Sequence, residues 1–166
     1  MVLIHKPRPT PLKLARGCFY ALYNPSMQIY YFLFRPHVKG VKSFIFRDGK
    51  ILLVRIGYSH GGWVLPGGAV DRGETAVQAA GREVEEESGV LVRGLKFVCE
   101  REVQREYKKV HLSYFYGETE EEDIVIDDQE IVDAGWFAVD NLPSPRRAIL
   151  DEELKMCEDW KYNGKH

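Results

Sequence analysis

The chain has 166 residues, 19.1 kDa and a net charge of −2, with 45% hydrophobic and 29% charged residues. That is enough for one globular domain with an extension, and the ordinary composition excludes a disordered or collagen-like chain. Its longest apolar runs are six residues, Cys18 to Tyr23 and Ile29 to Phe34, against about 20 needed to span a bilayer as a helix.

The charge is unevenly placed. The first 47 residues carry eight Lys or Arg and no Asp or Glu, so the remainder carries −10. Pro7, Pro9 and Pro11 make an extended leader. Residues 12 to 23 read as a short helix, broken at Asn24-Pro25, and residues 27 to 34 are ambiguous between helix and strand. Two readings of this basic, aromatic arm stand: an aromatic face packed on the domain or on a second subunit, or a peripheral contact with an anionic partner, either a membrane surface or nucleic acid. Residues 1 to 38 are accordingly read as an extension and 39 to 162 as the domain.

Val41 to Phe46 and Ile51 to Ile56, around Asp48-Gly49-Lys50, read as a β-hairpin. The loop Tyr58 to Gly62 leads to a short strand at Trp63-Val64-Leu65, and Pro66-Gly67-Gly68 and Asp71-Arg72-Gly73 turn the chain into a helix. Thr75 with Gln78 makes a capping box, and Gly89 supplies a stop. Leu95 to Val98 and Val110 to Tyr116 read as strands, followed by an acidic loop, a strand through Trp136-Phe137, and a helix from about Pro145 to Tyr162. Strands on both sides of a central helix, with a second helix at the end, indicate helices packed on a mixed sheet. Cys18, Cys99 and Cys157 form no CxxC or Cys/His pair, which speaks against a disulfide framework or zinc site and for a reducing, cytoplasmic setting. No secretory signal is expected.

The central helix holds an anomaly. At about 100° per residue, Glu83, Glu86 and Glu87 fall within about 100° of arc, the same arc as Ala76, Ala79 and Ala80, while Glu85 points away. Three carboxylates that approach a core together repel one another and lose hydration. A hard divalent cation, Mg²⁺ or Mn²⁺, would compensate them; the alternative is a solvated acidic helix end. Gly67-Gly68 lets the backbone come close to a ligand there, or is a plain turn.

Gly68, Glu74 and Arg82-Glu83-Val84-Glu85-Glu86-Glu87-Ser88-Gly89-Val90 resemble the Nudix box, GX5EX7REUXEEXGU, at all nine specified positions over 23 residues. Weaker similarity runs from about Gly40 to Pro143, and the N-terminal 38 residues match nothing. The resemblance implies an α/β/α sandwich with the box as loop-helix-loop. It also implies Mg²⁺- or Mn²⁺-dependent hydrolysis of a nucleoside diphosphate linked to another group, such as a (d)NTP, a dinucleoside polyphosphate or a nucleotide sugar. By the same resemblance Glu83, Glu86 and Glu87 hold the metals with the Gly68 carbonyl, and Glu74 and Arg82 brace the loop.

Water attack on one phosphorus needs a proton acceptor, for which Glu83, Glu86 and, from the acidic stretch 118 to 133, Glu130 are candidates. The plainer reading of that stretch is a solvated acidic loop. Tyr58, Trp63, Tyr107 and Phe137 are candidates for base stacking, and Arg55, Arg101 and Arg105 for phosphate contacts. Tyr107 lies 17 residues beyond Val90, where diadenosine-polyphosphate members carry a tyrosine. His60, beside Gly61-Gly62, is either a phosphate contact or a solvent-exposed loop residue. The expected ligand is a nucleotide-type small molecule, with a homodimer open and no specific nucleic-acid binding. A module of this fold that binds nucleotide without hydrolysing it is the alternative, although such modules usually lose box carboxylates and all are present here.

Overall fold

The structure, a computed structural model, describes residues 37–57, 62–105, 108–126 and 130–163, without the side chains of residues 37, 104, 105 and 108. Chain contacts define two units. One comprises Met1–His37 with Gln104–Lys109, and the other Val38–Val103 with Val110–His166. The first falls largely outside the described residues, as do the helix expected at 12–23 and Tyr58, His60 and Tyr107.

In the second unit, β1 (His37–Arg47) and β2 (Lys50–Ile56) form the expected hairpin. Asp48 (φ 48°) and Gly49 (φ 74°) are both left-handed, which is the two-residue turn whose twist matches paired strands. The strands are therefore joined by Asp48-Gly49 alone, with Arg47 opposite Lys50 and Phe46 opposite Ile51.

Beyond those pairs the hairpin splays. β6 (Ile131–Ala138) takes one edge of β2 along its whole length, from Lys50↔Ala138 to Ile56↔Ile131. The other edge passes from β1 to β3 (Trp63–Val64), through Val54↔Val64 and Arg55↔Trp63. The chain after β3 then crosses to β1: Ser43 N–H donates to Pro66 O at 3.0 Å, Val41 N–H to Gly68 O at 2.9 Å, and Val70 N–H to Lys39 O at 3.0 Å. Residues 63–70 thus fill the gap between two diverging strands, satisfying backbone groups that the splay would otherwise orphan. Gly67 is where this crossing is tightest. Its φ is 147°, and a Cβ there would overlap the Val41 carbonyl and lie 2.9 Å from the Lys42 Cα.

β4 (Lys96–Arg105) and β5 (Lys108–Glu118) complete the order β3-β2-β1-β5-β4. Both run longer than the hydrophobic pattern suggests, because their outer ends are charged and show no apolar alternation. Side chains alternate across the sheet. Phe44, Ile51, Leu53 and Tyr114 pack with Leu150 and Leu154 of α2 (Ile149–Asn163). Val41, Ile45, Leu52 and Phe115 pack with Ala79, Ala80 and Val84 of α1 (Ala76–Ser88). One helix on each face gives the expected α/β/α sandwich.

Two regions differ from expectation. The last helix starts at Ile149, not near Pro145, because residues 145–147 lie beside β3: Trp63 N–H donates to Pro145 O at 3.0 Å and Arg147 N–H to Trp63 O at 3.2 Å. Backbone groups used sideways cannot also start a helix. Residues 119–126 are not a simply solvated acidic loop but a strap pinned across the end of α1. Glu121 accepts from Leu91 N–H at 2.8 Å, Glu122 pairs with Arg47 at 3.0 Å, and Val125 N–H donates to Ser88 O at 2.9 Å. Ile124 joins the core cluster around Val84 and Val90. Among the described residues no helix is long and apolar enough to cross a membrane.

Candidate active site

The site is built on the second half of α1 and the loop before the helix. Thr75 caps the helix, its Oγ1 accepting from Gln78 N–H while Gln78 Oε1 accepts from Thr75 N–H at 2.9 Å. This reciprocal box typically stabilises a helix start by about 1 kcal/mol. Gly89, left-handed at φ 73°, ends the helix with its N–H on Glu85 O at 2.7 Å. The helix frame is thereby fixed at both ends, and with it the directions of Glu83, Glu86 and Glu87.

Arg82 organises the carboxylates. Nε donates to Glu74 Oε1 at 3.0 Å and Nη2 to Glu74 Oε2 at 3.1 Å, a two-pronged pairing. Nη1 is shared by Glu83 Oε1 at 2.8 Å and Glu86 Oε2 at 2.9 Å, and Nη2 also donates to the Ala69 carbonyl at 3.0 Å. A guanidinium has five N–H donors, and these contacts use them all. Lysine, with one ammonium point, could not hold two helix carboxylates, the loop carboxylate and the loop backbone together.

Burial sorts the carboxylates. Glu83 has a side chain only 14% exposed, and burial raises its pKa against the opposing pull of the Arg82 bond. Glu74 is held below its ordinary range by its bonds to Arg82. Glu86 is 54% exposed and faces outward from the same guanidinium. Glu87 reaches back instead, its Oε2 accepting from Gly67 N–H at 2.9 Å. Arg82 itself is pushed above its already high range, chiefly by the Glu74 bond.

The Glu83 carboxyl lies flat against Gly68. A Cβ at that position would be 2.5 Å from Oε2 and 2.6 Å from both the carboxyl carbon and Oε1. Two adjacent glycines therefore answer two needs, Gly67 the strand crossing and Gly68 room for a carboxylate. The Gly68 carbonyl gives one lone pair to Val41 N–H, which leaves its second lone pair for another partner.

Glu74, Glu83 and Glu86 share the one guanidinium of Arg82, and Glu87 stands beside Glu83 and Glu86 on the same helix. Hard oxygen donors gathered in this way fit a hard dication. Among the described residues, no three His, Cys, Asp or Glu side chains converge as a ready-made metal shell. Arg82 Nη1 holds the point where Glu83 and Glu86 converge.

The other sequence candidates fall elsewhere. Trp63 is 7% exposed, and Phe137 meets its ring edge-on with centroids 4.7 Å apart, so both belong to the core that backs β3. Arg55 sits with its guanidinium carbon 5.8 Å from the Trp63 ring and its Nη2 3.1 Å from Asp133, with a side chain 37% exposed. Asp133 was not singled out from sequence, although an aspartate inside a strand is itself a signal. Arg101 is exposed on β4, and the Arg105 side chain lies outside the described set. Glu130 is exposed, with its carbonyl accepting from Gly57 N–H at 2.8 Å just beyond β2.

Comparison with known proteins identifies the family. Residues 36–156 match the family model of the NUDIX domain, so the chain belongs to the NUDIX family. It is 33% identical over 118 residues to an NAD-capped RNA hydrolase NudC of Escherichia coli O9:H4 (strain HS), a match covering 67% of this chain and 45% of the relative. The chain thus spans about half the length of the curated relatives it matches. Among solved structures, a MutT NUDIX hydrolase from Burkholderia pseudomallei superposes with a TM-score of 0.65 at 27% identity, covering 73% of this chain and 98% of that one. A C. elegans Ap4A hydrolase shares the fold, with a TM-score of 0.59 at 21% identity over 76% of this chain and 98% of that one.

Proposed function

We propose that this chain hydrolyses the pyrophosphate bond of a nucleoside diphosphate linked to another group, with Mg²⁺ or Mn²⁺ held by Glu83, Glu86 and Glu87 and the free lone pair of the Gly68 carbonyl. The observation that carries this reading is the Glu83 carboxyl seated on Gly68 and tied by Arg82 to Glu74 and Glu86. Family membership supports it, as do relatives and neighbours described as an NAD-capped RNA hydrolase, an Ap4A hydrolase and a UDP-X diphosphatase, whose named targets are all pyrophosphate-bearing nucleotides.

A divalent cation held there would supply charge neutralisation at the phosphate oxygens and a more acidic water. The chain's own work is positioning. Arg82, with every donor engaged, fixes the two helix carboxylates relative to the loop. Glu87 holds the loop backbone at Gly67, so the helix and the Gly68 carbonyl cannot drift apart. Glu83 is one candidate to accept the proton as water attacks one phosphorus in line. Glu86 and Glu130 are the competing acceptors. Arg55, oriented by Asp133, is assigned to a substrate phosphate.

The test is release of product from a panel of (d)NTPs, ADP-ribose, NAD, nucleotide sugars and dinucleoside polyphosphates in Mg²⁺ and in Mn²⁺. Cleavage confined to pyrophosphate bonds, stopped by chelation and reduced about 100-fold or more in Glu86→Gln, is expected. A folded, metal-loaded protein silent across the panel would remove the assignment and favour a binding module.

A further inference from the structure

The face of the sheet that packs on α2 carries a second feature, unconnected with the carboxylates of α1. Beside the Asp48-Gly49 turn, Phe46 of β1 and Tyr116 of β5 stand with ring centroids 5.6 Å apart, and Trp160 of α2 adds a third ring 5.3 Å from Tyr116. The ammonium of Lys161 sits over both strand rings, 3.7 Å from the Phe46 centroid and 4.7 Å from that of Tyr116. Tyr116 donates its hydroxyl hydrogen to Glu118, so a carboxylate sits at the hydroxyl edge of the ring. Glu120 lies on the same rim.

A cavity of about 310 Å³ opens here, and a second of about 220 Å³ adjoins it towards Cys157. Phe46, Gly49 and Lys161 line both. The lysine side chain is therefore a partition between two spaces, planted on the last turn of a helix by four flexible methylenes. Aromatic faces attract cations through their negative quadrupole, and a nearby carboxylate adds to that field. Each element of a cation receptor is in place, and the protein's own ammonium fills it.

We propose that this aromatic pocket is a binding site for a small organic cation with a methylated or quaternary ammonium head, for which Lys161 is the displaceable occupant. The chemistry favours such a head over an inorganic ion, because a hydrated Na⁺ or Mg²⁺ loses more on leaving water than two ring faces return. It favours a cation over an anion because three carboxylates, Asp48, Glu118 and Glu120, share the rim with Arg47, whose guanidinium is engaged by Glu122 at 3.0 Å. The proposal stands independently of the hydrolytic reading.

The experiment is calorimetric titration of the full chain with choline chloride in sodium buffer, alongside its neutral isostere 3,3-dimethylbutan-1-ol. Lys161→Ala removes the occupant from an accessible last turn. Since apparent affinity scales with the fraction of protein whose site is open, choline should bind this variant about tenfold more tightly than the parent. The neutral isostere should bind neither, and Glu118→Gln, which can still accept from Tyr116, should weaken choline binding several-fold. Phe46→Leu in the Lys161→Ala background should abolish it, with an unchanged melting transition of each variant as the control on folding. Absence of saturable choline binding to folded Lys161→Ala overturns the proposal. Equal binding of the neutral isostere, or binding untouched by Glu118→Gln, overturns it as well.

Discussion

Replacing each of the two adjacent glycines by alanine separates fold from chemistry at neighbouring positions. At Gly68 the backbone is not in the positive-φ region, so alanine is conformationally allowed, and its Cβ meets only the far end of the Glu83 side chain. To restore an ordinary contact of about 3.4 Å from the present 2.5 Å, the carboxyl must retreat by about 0.9 Å. That displacement strains the 2.8 Å bond to Arg82 Nη1. Since Arg82 is 28% exposed, water can replace part of what is lost, so the stability cost is about 1 kcal/mol, or roughly 3 °C in melting temperature. Misplacement of a catalytic group by about 1 Å costs about 100-fold in rate. Gly68→Ala should therefore melt nearly normally and turn over about 100-fold more slowly. Gly67→Ala instead needs a φ of 147° and collides with backbone of β1; it should lose several kcal/mol, about 3 or more, and fail to give a cooperative melt. Thermal unfolding and initial rates on one pyrophosphate substrate read both. Gly68→Ala with parental turnover, or as damaged in its melt as Gly67→Ala, would refute the reasoning.

Arg82→Lys should lose activity as fully as Arg82→Ala, because the five-donor fork rather than the charge does the positioning; steady-state rates of the two variants decide this. Glu74 gives a pH signature. Its folded pKa is lowered, so its contribution is fully present above its ordinary pKa of about 4.3 and is lost as pH falls through the lower folded value. Acid melts of Glu74→Gln should accordingly lack part of the steepness seen in the parent below about pH 4.3. Cys157, 2% exposed, has its thiol pushed up to about 11 by burial. It should resist iodoacetamide at pH 8 in the native protein and react on unfolding, as peptide mapping would show. A protein starting at Val38 should lose any salt-sensitive binding to anionic liposomes; equal binding would show that residues 1–37 are not the anchor.

What was legible in the sequence was local. Thr75 and Gln78, three residues apart, gave the capping box, and Asp48-Gly49 the hairpin turn, because those signals lie within one turn of chain. The crowding of Glu83, Glu86 and Glu87 on the alanine arc was legible for the same reason. Partners brought from afar were not. The bond from Gly67 N–H to Glu87 spans 20 residues, and the strap is held by Leu91 and Arg47 contacts spanning 30 and 75. The strap reads as acidic and solvated because its apolar anchor, Ile124, belongs to a run of only three apolar residues, Ile124-Val125-Ile126, between two groups of carboxylates. The start of the last helix was misplaced because nothing near Pro145 announces that β3, more than 80 residues earlier, will take its backbone groups.

The measurement closest to the central claim is turnover of one cleaved pyrophosphate substrate against Mg²⁺ concentration, for the parent and for Glu83→Gln, with intact folding checked by thermal melt. The account predicts no turnover without the cation, saturable dependence on it in the parent, and a loss of about 100-fold or more in the variant at every concentration. Turnover that persists in chelator, or that Glu83→Gln leaves within a few-fold of the parent, would contradict it.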